Sequence, residues 1–175
     1  MSSDAPEFPN GAYQLETQLS EKRRAEILEA VAAFPALLRQ ALDGLAPHQL
    51  EQVYKNWTIA QIVNHLADAQ MNWFLRFKLA LTTIKPAINP YDQSDWARLP
   101  DGLDTDLSAS LAIIEGINRR WSELGFCIPP EDYARTMVHP EHADELTLDH
   151  ALSLANWHCY HHLAQLQWMR ENRGL

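Results

Sequence analysis

The sequence predicts an all-α fold, a four-helix bundle with long irregular connections. Three observations predict it. Four segments carry apolar residues at helical spacing, at i, i+3, i+4 and i+7. Most of these segments have recognisable start or stop signals. No stretch shows the strict apolar/polar alternation of a half-buried strand.

Residues 1–19 read as an extended arm of the single domain expected over 1–175. Pro6, Pro9 and Gly11 oppose regular structure, and Phe8, Tyr13 and Leu15 are placed to pin the arm to the core. The first helix is predicted over 20–42, with a stripe of Ile27, Val31, Phe34, Leu38 and Leu42. Pro35 inside it should kink it, and Gly44 follows as a stop signal. The second helix begins at a capping box, Thr58 with Gln61, with Trp57 positioned to staple onto Ile62. Its inner face reads Ile62, His65, Leu66, Ala69, Trp73, Phe77, and it should end near residue 83, before Lys85-Pro86.

The connection 84–104 holds three prolines together with Tyr91 and Trp96, and a connection of that length tends to be functional. The third helix is predicted over 105–124, with Leu107, Leu111, Ile114, Asn118 and Trp121 on one face and Gly125 as the stop. A second irregular link covers 126–146. The fourth helix starts at Thr147, a good N-cap, and runs to about residue 172. Its inner face reads Leu148, Ala151, Leu152, Ala155, His158, Cys159, His162, Leu166 and Met169. Both links are long enough to cross the bundle, so up-down-up-down connectivity is not implied.

Composition narrows the function classes. The chain has 175 residues, 46% of them hydrophobic, and a formal charge of −9. Its densest basic cluster, Lys22-Arg23-Arg24, is flanked by Glu21 and Glu26, which argues against nucleic-acid or anionic-membrane binding. Two cysteines are too few for a disulfide framework. The polar segment 1–11 has no signal-peptide pattern, and no apolar run is long enough to span a bilayer. A cytoplasmic protein is the expected reading.

Histidines carry the chemistry. His158 and His162 stand four apart, so their rings share one helix face and can converge on one ion. With eight His in the chain, chance supplies roughly 0.4 such pairs, so context must decide. Both fall on the apolar stripe of the fourth helix, where buried imidazoles need partners. His65, on the inner face of the second helix, offers a third ligand. Three neutral imidazoles suit zinc, nickel, copper or ferrous iron, and leave the open position of a catalytic site; one divalent transition metal is expected, zinc before nickel. Asp68, one turn beyond His65, could orient a ligand ring or act as a base. His161 is expected in solvent or behind the ligands, His139 and His142 on a surface loop, and Cys159 as a small buried filler. Trp96 stands out among the tryptophans because it lies in the long connection.

The run Trp57-Thr58-Ile59-Ala60-Gln61-Ile62-Val63-Asn64-His65-Leu66-Ala67-Asp68-Ala69-Gln70-Met71-Asn72 resembles the second helix of YfiT-type proteins of the DinB-like superfamily. Arg76-Phe77-Lys78-Leu79, the segment Pro86 to Asp92, Arg120-Trp121, His139-Pro140 and Trp157-His158-Cys159-Tyr160-His161-His162 continue the resemblance from Pro9 to Arg170. It implies an up-down-down-up bundle, a homodimer, and one divalent ion held by His65, His158 and His162. It implies metal-dependent hydrolysis of a small-molecule substrate. Related members are S-transferases for low-molecular-weight thiols of the bacillithiol type. Asn64 stands where relatives can carry another His. A non-catalytic metal-binding module and a purely structural domain are the rival readings.

Overall fold

A computed structural model describes residues 5–140 and 145–175. Four long helices form a bundle: α1 (Glu21–Leu42), α3 (Ile59–Thr82), α5 (Ser108–Cys127) and α6 (Leu148–Arg173). Two single-turn helices, α2 (Pro47–Leu50) and α4 (Gln93–Trp96), lie in the connections, with a 3₁₀ turn at Pro130–Ala134. Two small antiparallel ribbons join them. One pairs β1 (Val53–Tyr54) with β2 (Trp57–Thr58), and the other pairs β3 (Thr136–Val138) with β4 (Glu145–Thr147). These strands have two or three residues each, too few for periodicity to register in the sequence.

Side-chain pairs fix the helix directions. Arg24 meets Asp149 near the starts of α1 and α6, and Arg170 reaches the Ala41 carbonyl near their ends, so these two run parallel. Leu28 faces Gly125 while Arg39 bonds Glu115, so α5 opposes α1. Asn64 bonds Ser110 and Phe77 packs on Trp121, so α3 parallels α5. Relative to α1, the order is therefore up-down-down-up. A return from α3 to the parallel α5 requires a connection that travels the length of the bundle, and residues 83–107 provide it.

Pro35 lies inside a continuous α1. It has no N–H for the Val31 carbonyl. The Nδ2 of Asn118 donates to that carbonyl from α5 at 3.1 Å, so the lost bond is replaced from outside the helix. Gly125 does not stop α5, which continues to Cys127. A Cβ there would stand 2.3 Å from a Leu28 methyl, so the glycine lets α1 and α5 approach closely. Tyr133 donates to the Gly125 carbonyl at 2.7 Å, under the guanidinium of Arg24. Arg24 is buried against Asp149, so the basic cluster offers no open cationic patch.

The arm is pinned by two of the three residues expected. Phe8 and Tyr13 pack on Trp157, and Tyr13 donates to Ser153. Leu15 is exposed, while Ala5 and Leu19 are buried. Among the described residues, no helix is long and apolar enough to cross a membrane.

Candidate metal centre

The capping box forms as expected. Thr58 Oγ1 accepts from the Gln61 amide, and Gln61 Oε1 accepts from the Thr58 amide. The tight β1–β2 ribbon, turned at Lys55 with φ 52°, leads straight into this cap. His65 is thereby held in the second turn of α3, close to a rigid entry. Antiparallel α6 brings His158 and His162 opposite it.

The three rings meet. His65 Nε2 lies 3.0 Å from His158 Nε2, which lies 3.1 Å from His162 Nε2. One ring nitrogen from each falls within 4.8 Å of the others. Nitrogens bound at about 2.0–2.1 Å to one tetrahedral ion stand about 3.3 Å apart, close to this arrangement. Hydrogen bonding alone cannot satisfy it. A neutral His158 has at most one proton on Nε2, so it can bridge to one neighbour and must oppose a lone pair to the other.

The tautomer of His162 is set from behind. Its Nδ1 donates to Gln165 Oε1 at 2.8 Å, which leaves the Nε2 lone pair aimed at the centre. Gln165 Nε2 in turn donates to His161 Nε2 at 2.9 Å, and His161 Nδ1 donates to Asn10 Oδ1 at 3.2 Å. This chain runs from the N-terminal arm to the ring of His162 with every proton assigned a direction. Burial and neighbouring imidazoles hold all three rings neutral: His65 is lowered to about 3, and His158 and His162 fall well below the usual imidazole value. Neutral imidazole is the ligating form. Trp57 closes one edge, edge-on to His65 at 4.6 Å and nearly parallel to His162 at 6.2 Å. The donor set therefore fits a divalent transition ion.

The open side is a cleft of about 230 Å³ lined by His65, His158, Trp73, Arg76, Tyr91 and His139, among others. The long connection walls it. Gln61 and Asn64 bond the carbonyls of Ala97, Gly102 and Asp104, and Arg76 bonds that of Asn89. Asn64 thus ties this connection to α3. The two links also pair with each other, Ile88 N to Val138 O and Val138 N to Pro86 O, both at 3.0 Å.

That pairing carries His139 into the cleft, where the sequence suggested a plain surface position. His142 lies outside the described residues. Trp96 does not line the cleft but packs against Tyr91 at 4.3 Å. Cys159 is buried beside Gln70, and burial pushes its thiol far above the ordinary range, as a filler would behave. Asp68 hydrogen-bonds none of the three rings, so it does not orient a ligand. It is half-buried, and burial together with Asp101 raises its carboxyl to about 6.

A second cleft of about 430 Å³ borders the other side of the centre, lined by His162, Gln165, Trp57 and Phe8, with Gln93 shared between the two. Sequence reasoning missed Gln165, Trp57 and Arg76. Gln165 alone had a signal, standing three residues after one proposed ligand and four after His161.

Comparison with known proteins agrees with this geometry. A family model described as the DinB superfamily matches residues 30–166. The Bacillus subtilis (strain 168) protein named "Putative metal-dependent hydrolase YfiT" is 35% identical over 176 residues, covering 99% of both chains. A Geobacillus thermodenitrificans (strain NG80-2) protein, also named as a metal-dependent hydrolase, is 37% identical over 174 residues, covering 98% of this chain and 97% of its own. The solved structure of the Bacillus subtilis YfiT protein, described as having "an unusual four-helix bundle topology", superposes with a TM-score of 0.92. It covers 95% of this chain and 97% of that one at 35% identity.

Proposed function

Because the chain belongs to the DinB superfamily, we propose that it is a metal-dependent hydrolase acting on a small-molecule substrate. His65, His158 and His162 hold the ion, which we take to be zinc, with nickel next. The convergence of three Nε2 atoms from two antiparallel helices is the observation that carries this reading. The relatives' names support it.

A divalent ion in such a site lowers the pKa of water to roughly 7 and polarises a substrate carbonyl. The protein supplies the rest. Gln165 keeps the His162 lone pair pointed inward, and Trp57 packs beside the rings of His65 and His162. The cleft walled by Tyr91 and Arg76 admits substrate from the open side. Asp68, poised at about 6, is ionised at neutral pH and is assigned to accept the proton lost by the attacking water.

Metal-reloaded protein should cleave activated esters, with kcat lost when the metal is stripped and restored when it is returned. Asp68→Asn should lower kcat by about 10²–10⁴ while leaving metal content unchanged. An unaltered kcat would remove Asp68 from the mechanism.

A second reading, transfer of a low-molecular-weight thiol to an electrophile, is favoured by the two clefts that flank the centre, one for each reactant. A rate that depends on added thiol with a chromogenic electrophile, and no ester turnover without thiol, would select it. The homodimer implied by the resemblance is tested separately by sedimentation.

A further inference from the structure

Arg76 is 8% exposed, yet none of its neighbours among the described residues is a carboxylate in salt-bridge reach. Among the described residues its single hydrogen bond goes from Nη2 to the Asn89 carbonyl at 2.9 Å. The guanidinium lies near two aromatic rings, 5.3 Å from the centroid of Trp73 and 5.9 Å from that of Tyr91. A buried charge without a counter-ion is costly, and arginine cannot shed its proton to escape the cost. Arg76 lines the cleft that also reaches His65 and His158.

We propose that Arg76 is the anchor for a carboxylate on the substrate. The aromatic neighbours and the Asn89 carbonyl leave part of a planar fork open, and a carboxylate matches that fork with two parallel hydrogen bonds. In this net-acidic protein, the cleft is locally cationic and selects against uncharged substrates. The helix also sets a ruler. Arg76 follows His65 by eleven residues on the same face of α3, a backbone rise of about 16 Å, of which the longer arginine side chain, leaning toward the N-terminus, spans a part. The substrate therefore carries its carboxylate at the far end of a chain of several carbons from the bond that reacts. This inference rests on reading the three-His centre as the reacting centre.

The test separates the two. Metal-stripped full-length protein is titrated calorimetrically with suberate and with suberamide, its uncharged counterpart. Wild type should prefer suberate by about tenfold or more. Arg76→Gln should lose the preference, and Arg76→Lys should keep part of it. With zinc restored, Arg76→Gln should raise KM for mono-4-nitrophenyl suberate and leave KM for 4-nitrophenyl octanoate unchanged. Equal affinity for the two probes in wild type overturns the proposal, as does an intact preference in a folded Arg76→Gln. Suberate preference without turnover of either ester keeps the anchor and sinks the hydrolase reading. Turnover of both esters without any preference does the reverse.

Discussion

His162 shows how one residue is prepared for its task. Gln165 takes the Nδ1 proton, so the Nε2 lone pair can point only at the centre. Gln165→Leu should therefore weaken zinc binding about 10- to 100-fold, read by competition with a chromophoric chelator, while the circular dichroism spectrum stays helical. Unchanged affinity would show that packing alone orients the ring. The three rings also make a pH prediction. Each has a folded pKa below its unfolded value near 6.5, so the unfolded chain binds protons first. Stability of the metal-free protein should fall progressively as pH drops below about 6.5. Asp68, raised to about 6, works in the opposite sense, but it is one group against three. Urea midpoints from pH 7.5 to 4.5 measure this. The slope should shrink in His65→Gln, and an equal slope in that variant would contradict the assignment. At this scale the sequence was generous with candidate ligands, because helical spacing and an apolar stripe select His158 and His162. It gave Trp57 and Arg76 no place at the centre, because their position there comes from what chain folding brings beside them.

Among the elements, α1 and α5 illustrate compensation. Pro35 leaves the Val31 carbonyl without its helical donor, and Asn118 replaces it from the neighbouring helix. Asn118→Leu should cost about 1–3 kcal/mol of stability. The cost should shrink in a Pro35→Ala background, where residue 35 regains its N–H. A double-mutant cycle in urea reads the difference, and full additivity would deny the coupling. The long helices were legible because apolar periodicity and caps agree over twenty or more residues. The end of α5 was misjudged because Gly125 reads equally well as a C-cap or as a close-approach residue, and only the Leu28 contact decides. The ribbons escaped notice because each strand has only two or three residues. The nonlocal pairing of Val138 with Pro86 and Ile88 moves His139 from an expected surface loop to the cleft wall.

On the scale of the whole molecule, fold and centre are separable. The core consists of two hydrophobic clusters built from all four long helices, with Trp121, Phe34 and Phe77 fully buried. A chain of this size buries enough apolar surface to fold without a metal staple. Chelation should therefore leave the helical content intact while lowering the melting temperature by the binding free energy it removes. Collapse of the far-ultraviolet signal on chelation would instead make the ion part of the fold. The up-down-down-up order could not be read from helix positions alone, since link length permits several crossings. It was anticipated only through family resemblance, and the pairs Arg24–Asp149 and Asn64–Ser110 supply its physical basis.

Elemental analysis of purified wild type and His158→Ala, each stripped and reloaded, tests the central claim most directly. The account predicts about one equivalent of divalent transition metal in wild type. It predicts loss of stoichiometric binding in His158→Ala, whose helical spectrum should be retained. Less than about a tenth of an equivalent in reloaded wild type, or full occupancy in the variant, would contradict it.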